Sequence, residues 1–363
     1  MHIVSILTSL TSGGAEMLVV NLNKEFVAAG HRSTVVTLAD ADSVGNSRAM
    51  EATLRQRILD EGGEHISLHL GTSRNPLRGW RQMRALVRRL KPDVIHAHTA
   101  RALLMLLAHP DKAPVVLTHH NSKLSFPTAM FRLFDQIADA YVAISKETEQ
   151  IFTQNVKRPI AYIPNAASKS FSASEPRMRA SANPQILSVG TISAQKHYDL
   201  LVEVATALKN RIGVGTMPKF MIAGNGADLE NMRAMAQECG VADHVHFLGE
   251  RSDIAQLMQS SDLYLNTSRY EGMPVALLEA MASGLPIVAT KVAGNTELVG
   301  HMDNGLLCPL DDAEDLAGAI SKLIDDAGLY SHCSAAAIKR SKSFSIEATC
   351  ANHLALYQKI RTA

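Results

Sequence analysis

Short, unbroken aliphatic runs alternate along this chain with longer stretches of helical period, and the alternation starts, stops and starts again. In the first half the runs are Ile3–Ser9, Thr34–Leu38, Asp93–His98, Val115–Thr118, Tyr141–Ile144 and Ile160–Ile163. Runs of this length bounded by turn residues predict strands buried on both faces, as in a parallel sheet. Helices are predicted between them at Ala15–Ala29, Pro76–Leu90, Ala100–Ala108 and Ser145–Thr153, the last with Ser145 as its N-cap. Pro76–Leu90 is amphipathic, with Leu77, Trp80, Met83, Val87 and Leu90 at helical spacing. The polar stretch Asp40–Gly63 lacks a clean period and reads as a loop with a short helix.

Asn165–Pro184 breaks the pattern with small, polar and proline residues and reads as an interdomain linker. The alternation then restarts. Strands are predicted at Gln185–Val189, Phe220–Ala223, Val245–Leu248, Leu263–Leu265, Pro286–Thr290 and Leu306–Cys308. Helices fall at Leu200–Lys209, Asp228–Cys239, Ile254–Ser260 and Val275–Ser283, and three more follow Asp312. Pro274 suits a first helical position, and Gly284 a left-handed stop. Strand, loop, helix, strand repeated in this way predicts an α/β protein of two doubly wound Rossmann-like domains facing across a cleft. A length of 363 residues agrees with two domains.

Composition alters this picture little. The chain has no run of about 18 apolar residues, so no membrane span is expected. Its start, MHIVSILTSLTSGG, lacks a charged leader region and reads as a first strand, not a signal peptide. Cys239, Cys308, Cys333 and Cys350 have no metal-like spacing and fit reduced thiols in a cytoplasmic protein. Charge is uneven: residues 1–165 hold 19 Lys+Arg against 14 Asp+Glu, and the remainder 17 against 21. Much of the excess lies in Arg74–Lys91, either a solvated helix face or a basic surface for anionic lipid headgroups or a polyanionic acceptor. No nucleic-acid motif accompanies it. The apolar cluster Leu124, Phe126, Met130, Phe131, Leu133 and Phe134 is either core or a docking patch for a lipid-borne acceptor.

Candidate chemistry gathers in loops that follow strands, where open α/β sheets bind ligands. Lys196 follows the strand ending near Gly190 and is placed to neutralise a diphosphate. Glu271 lies in the loop before Pro274, and Glu279 inside the following helix. Their offset suits two ends of one ligand better than the paired carboxylates of a glycosidase. Backbone groups of Gly272, Met273, Pro274 and Val275 sit at that helix's positive end, facing a phosphate. Gly13–Gly14 could approach a phosphate or sugar, and Gly224–Asn225–Gly226 a base or ribose. Neither has the G-x-G-x-x-G of a dinucleotide site. Asp40–Ala41–Asp42 spells a metal-binding D-x-D but reads as a strand end.

Several segments in this order resemble one known family. They are SGGAE at Ser12–Glu16, KPDVIHAH at Lys91–His98, VVLTHHN at Val115–Asn121, VAISK at Val142–Lys146 and IPNA at Ile163–Ala166. In the second half they are VGTISAQK at Val189–Lys196, AGNGAD at Ala223–Asp228, FLGERSDI at Phe247–Ile254 and TSRYEGMPVALLEAMASGLPIVAT at Thr267–Thr290. Together they span both halves and resemble retaining glycosyltransferases of family 4 with the GT-B fold, the glycosyl transferases group 1. The resemblance implies an acceptor-binding domain over 1–166 and a nucleotide-sugar domain over 184–343. It also implies a terminal helix over 344–363 packing back on the first domain.

On this resemblance Glu271, Lys196 and His120 are the expected catalytic residues. Glu271 would contact donor hydroxyls, Lys196 the diphosphate and His120 the sugar, with His119 the alternative if the register slips by one. The expected donor-binding set is Gly14, Gly190, Thr191, Gly224, Asn225, Gly226, Arg251, Gly272, Met273, Pro274, Val275 and Glu279, the last holding the ribose. Thr191 stands where the family usually carries arginine, which puts the second phosphate-binding cation in doubt. The expected reaction moves a sugar from a nucleotide-diphosphate donor, UDP-linked, to a saccharide or lipid-linked acceptor with retention and without metal or other cofactor. The expected setting is bacterial cell-surface polysaccharide or glycolipid biosynthesis, in the cytoplasm and at the inner membrane face. A sugar-nucleotide epimerase, a non-catalytic nucleotide-sugar binder and an NAD dehydrogenase are the competing readings.

Overall fold

The computed structural model describes residues 1–44, 46–71, 76–107, 113–121, 123–212 and 217–362. The chain divides into two compact units, residues 1–165 with 346–363, and residues 166–345.

The first unit is built on a seven-stranded sheet of β1 (His2–Leu7), β2 (Arg32–Thr37), β3 (Glu64–Ser67), β4 (Val94–Ala97), β5 (Val115–Thr118), β6 (Ala140–Ala143) and β7 (Ile160–Tyr162). Their spatial order is β3-β2-β1-β4-β5-β6-β7, with every pair parallel. β1, β4, β5 and β6 are buried along their whole length, which is why they read as continuous apolar runs. Helices α1 (Gly14–Ala28), α2 (Arg48–Asp60), α3 (Pro76–Leu90), α4 (Ala100–Leu104), α5 (Phe131–Phe134) and α6 (Lys146–Asn155) connect them. Ser145 caps α6 in a reciprocal capping box with Thr148. Strand order reverses between β1 and β4, so the switch point, with the crevice that binds ligands in such sheets, opens at their carboxyl ends.

The structure refines the expectations for this unit at several points. The short helix expected within Asp40–Gly63 is α2, longer than expected at 13 residues and capped by Ser47, whose Oγ accepts from the Met50 amide at 3.2 Å. Only Met50, Leu54 and Ile58 are buried along it, three positions at i, i+4 and i+8, too sparse to register as a stripe. β3 went unread because it is a half-buried edge strand with a polar sequence. The aromatic cluster belongs to the core: Phe131 and Phe134 are fully buried, and Phe126 meets them edge-on at 5.3 and 5.0 Å. Core packing, not docking, accounts for those rings. The expected Ala100–Ala108 helix stops at Leu104, and Ala108 lies outside the described residues, as does Arg74 of the basic run.

The last helix, α14 (Ile346–Thr362), also belongs to this unit. Tyr357 on it is buried against Phe26, Thr349 donates to the Pro164 carbonyl at 3.1 Å, and Arg361 meets Asp93 at 2.5 Å.

The second unit repeats the plan with β8 (Gln185–Val189), β9 (Lys219–Ala223), β10 (Val245–Gly249), β11 (Leu263–Asn266), β12 (Ile287–Thr290) and β13 (Gly305–Cys308). The order is β10-β9-β8-β11-β12-β13, all parallel, so the switch point lies between β8 and β11. Around it pack α7 (Tyr198–Ile212), α8 (Leu229–Glu238), α9 (Ile254–Ser260), α10 (Val275–Ala282), α11 (Ala293–Leu298), α12 (Ala313–Asp325) and α13 (Ala327–Ser341). Six-residue α11 was not expected. Residues 166–183, linker-like in composition, are tied to this unit: the Arg177 guanidinium donates to the Ser261 and Met258 carbonyls at 2.6 and 2.9 Å, and Ser181 to Asp262. Small and polar residues here supply hydrogen bonds to neighbouring loops, so composition alone misjudges the segment as a spacer.

Candidate functional site

In the second unit the loops after β8 and β11 leave the sheet side by side at the switch point and meet. Lys196 Nζ lies 2.5 Å from Glu271 Oε1, which also accepts from Ser268 Oγ at 2.6 Å. The lysine side chain keeps 20% of its surface and the glutamate 6%. The two loops are stitched further by Thr267 Oγ1 to the Lys196 carbonyl (2.9 Å), the Arg269 amide to the Gln195 carbonyl (2.9 Å) and Gln195 Nε2 to the Tyr270 carbonyl (3.2 Å). From behind, Thr290 donates to the Ser268 carbonyl at 2.6 Å, and Asn266 Oδ1 accepts from the Ser268 amide and from Asn295, each at 3.1 Å. A site so held is pre-organised: one ammonium donor is spent on Glu271, and the remaining donors can address an anion.

Gly272, Met273 and Pro274 are buried and lead into α10. Pro274 is its N-cap, not its first residue as the sequence suggested, and no side chain caps the helix. The first-turn amides, beginning with Val275, therefore point out of a positive helix end toward the space beside Lys196 and Glu271. Glu279 lies one turn further along α10 and is 6% exposed.

The remaining donor candidates fall into two groups. Gly190 and Thr191 begin the Lys196 loop, with Thr191 exposed. Gly224 and Gly226 serve backbone packing: a Cβ on Gly224 would collide with the Gly190 carbonyl and one on Gly226 with the Ile192 carbonyl, while Asn225 O accepts from the Ile192 amide at 2.9 Å. That contact explains both glycines without a ligand. Arg251, beyond edge strand β10, is paired with Asp253 at 2.8 and 2.5 Å and is not brought to the Lys196–Glu271 pair. Sequence reasoning missed His197. It adopts a left-handed φ of 55°, and its two ring nitrogens meet Asp199 at 2.5 Å and Asp311 at 2.6 Å, which holds the turn carrying Lys196. A histidine gives no sequence signal for such a turn.

In the first unit Gly13 caps α1, Gly14 is its first residue, and Thr11 Oγ1 accepts from the Gly13 amide at 3.2 Å. Glu16 folds back over this turn, and burial raises its carboxyl to about 7. The paired histidines after β5 separate. His119 turns to the core and meets Phe126 edge-on at 5.5 Å, whereas His120 Nε2 lies 3.0 Å from Nδ1 of His98, just beyond β4. Burial first, then His119 and His353, push His120 down to about 3. Burial first, then His120 and His353, hold His98 well below the usual histidine range. Both rings are thus neutral near pH 7. The D-x-D of Asp40 and Asp42 is engaged locally: Asp40 accepts from Ser67 at 2.6 Å and meets His69 at 2.6 Å, and Asp42 pairs with Arg48. Among the described residues no His/Cys/Asp/Glu group could hold a metal ion, and no helix is long and apolar enough to cross a membrane.

Two family models match the chain in succession, Glycosyltransferase Family 4 over residues 12–170 and Glycosyl transferases group 1 over residues 174–340. An uncharacterized glycosyltransferase of Haemophilus influenzae is 33% identical over 166 residues, 46% of each chain. The lipopolysaccharide core biosynthesis glycosyltransferase LpsE of Rhizobium meliloti is 25% identical over 325 residues, 87% of each. The chain matches less than half the length of the first curated relatives it resembles. Among solved structures, Anabaena HepE in complex with UDP-glucose superposes with a TM-score of 0.80 at 22% identity, over 98% of this chain and 100% of that one. WaaG, a glycosyltransferase involved in lipopolysaccharide biosynthesis, gives 0.74 at 16% identity, over 98% of this chain and 99% of that one. These likenesses establish the fold as GT-B.

Proposed function

This chain belongs to the family 4 glycosyltransferases, the glycosyl transferases group 1, and from that membership we propose that it moves a sugar from a UDP-linked donor to a saccharide or lipid-linked acceptor with retention. The observation that carries the proposal is the Lys196–Glu271 contact at the β8/β11 switch point, beside the uncapped end of α10. An ammonium and a row of helix amides suit the charge that develops on a departing diphosphate, with no metal needed for that task. Glu271 then faces donor hydroxyls, and Glu279, deeper on α10, takes the two hydroxyls of a ribose. His120, the remaining catalytic candidate, takes a sugar hydroxyl. In a retaining transfer the acceptor attacks on the leaving-group face and the departing phosphate takes its proton, so no protein nucleophile is required. UDP is the nucleotide bound in HepE, and LpsE acts in lipopolysaccharide core biosynthesis; both support a UDP donor and a cell-surface glycan or glycolipid acceptor. The protein works at the cytoplasmic face of a membrane.

A thermal-shift screen of nucleotide sugars tests the donor, because a ligand bound to the folded state alone raises its stability by mass action. UDP-sugars are expected to raise the melting temperature of the wild type and to lose that effect in Glu279→Gln. Equal shifts in both proteins, or none from any UDP-sugar, would sink the assignment. The epimerase alternative predicts free isomerised donor in the absence of acceptor, which a product assay separates.

A further inference from the structure

Four histidines crowd the core of the first unit, and the function proposed above uses one of them. His96 lies on β4 and His98 just beyond it, His120 follows β5, and His353 sits on α14. Ring centroids of His96 and His98 are 4.0 Å apart and those of His98 and His120 5.2 Å, both pairs stacked. His96 is fully anchored, with Nδ1 2.6 Å from the Tyr357 hydroxyl and Nε2 2.7 Å from Thr118 Oγ1. His98 is held between that fixed ring and His120. It is 4% exposed, its Nδ1 meets His120 Nε2 at 3.0 Å, and its Nε2 has no partner among the described residues.

We propose that His98 is a positioning residue for His120, fixing its ring orientation through the Nδ1–Nε2 hydrogen bond, which also ties the two tautomers together, and leaving Nδ1 as the nitrogen that meets a sugar hydroxyl. The role of the sugar rests on the transferase reading; the positioning itself does not. A buried imidazole with one unpaired nitrogen carries a desolvation penalty that an apolar side chain would avoid, so stability alone does not account for His98. Between two neutral rings one nitrogen must donate and the other accept, so His120 Nε2 is consumed in either tautomeric state. The second His120 nitrogen, Nδ1, likewise has no partner among the described residues. Rotation of His98 away from His120 would break its stack on His96, which Thr118 and Tyr357 hold in place.

The test uses full-length protein labelled with ¹⁵N at histidine, compared as wild type, His98→Leu and His98→Asn near neutral pH. In the wild type His120 Nε2 should show a through-hydrogen-bond nitrogen–nitrogen coupling to His98 Nδ1; its absence overturns the proposal without any variant. His98→Leu should shift the His120 Nε2 resonance as its hydrogen bond is lost, and His98→Asn, whose amide reaches the Nδ1 position, should move it back toward the wild-type value. UDP-glucose turnover read as UDP release should fall on the order of tenfold or more in kcat for His98→Leu, with KM within about twofold and partial recovery in His98→Asn. Unchanged His120 shifts in His98→Leu, or an asparagine variant that is folded yet no better than leucine, overturns the proposal. If the wild type turns over no UDP-sugar, the transferase reading fails while the nitrogen resonances still decide the role of His98.

Discussion

Lys196 and Glu271, 75 residues apart in the chain, meet at 2.5 Å where the second sheet reverses its strand order. The contact joins the two loops best placed to receive a ligand, and it leaves the carboxylate buried and ion-paired with the ammonium. Lys196→Ala should therefore cost stability as well as activity, on the order of 3 kcal/mol because a buried charge loses its partner. The double variant Lys196→Met/Glu271→Gln should recover much of that stability and none of the turnover. Urea unfolding beside a UDP-release assay checks both halves. A single and a double variant of equal stability would show that the pair is not coupled.

Gly294, in α11, supports the Glu271 loop from behind. A Cβ there would come within 2.6 Å of the Gly272 carbonyl and 2.8 Å of Glu271 Cβ. Gly294→Ala is expected to shift the loop by a few tenths of an ångström or more, weaken nucleotide binding about tenfold or more and leave the protein folded. Calorimetric titration with UDP, with circular dichroism as the folding control, reads the outcome; unaltered affinity counts against the role given to the loop.

The buried histidines of the first unit predict acid sensitivity. Burial lowers His353 to about 3 and holds His96 and His98 well below the usual range. Above about pH 6.5 these groups are neutral folded or unfolded and contribute no pH dependence. Below it the unfolded chain gains protons that the native state refuses, so stability falls with pH, by up to about 1.4 kcal/mol per histidine per pH unit. Glu16, raised to about 7, works in the opposite direction over the same range, so the comparison must be between proteins. His353→Gln should lose stability less steeply than the wild type between about pH 6.5 and 5, a window above most carboxylate titrations. Identical slopes in urea midpoints would show that His353 does not titrate as its burial requires.

The basic face of α3 gives a prediction about surfaces. Arg78, Arg81, Arg88 and Arg89 are exposed, whereas Met83, Leu86, Val87 and Leu90 are buried in the core. The helix thus docks through its apolar stripe and leaves these arginines at the surface, which is the basis for expecting attraction to anionic headgroups. Vesicles rich in phosphatidylglycerol should retain the protein at low salt and release it as salt is raised. Charge reversal at Arg81 and Arg88 should abolish retention while leaving thermal stability within about 0.5 kcal/mol, as for exposed sites elsewhere. Retention that ignores both salt and the substitutions removes the electrostatic explanation.

Most strands and helices were readable in order because parallel strands buried on both faces leave unbroken aliphatic runs, and amphipathic helices leave a period. α3 shows this well: Pro76–Leu90 has the same limits in the sequence reading and in the structure. The elements that escaped, β3 and α11, are short and β3 lies at an edge, so they leave little periodic trace, and α2, expected only as a short helix without limits, buries few side chains. The candidate residues were likewise visible as types, because loops after strands carry chemistry: Lys196, Glu271 and His120 stand in such loops, and Glu279 in the helix that follows one. What the sequence alone determined was this order of elements and the chemical character of each loop. Which loops meet, and so the Lys196–Glu271 contact, the His98–His120 pair, the turn held by His197 and the packing of Gly224 on Gly190, was decided by tertiary structure. Strand order sets those encounters across tens of residues, and local pattern carries no record of which strand will lie beside which.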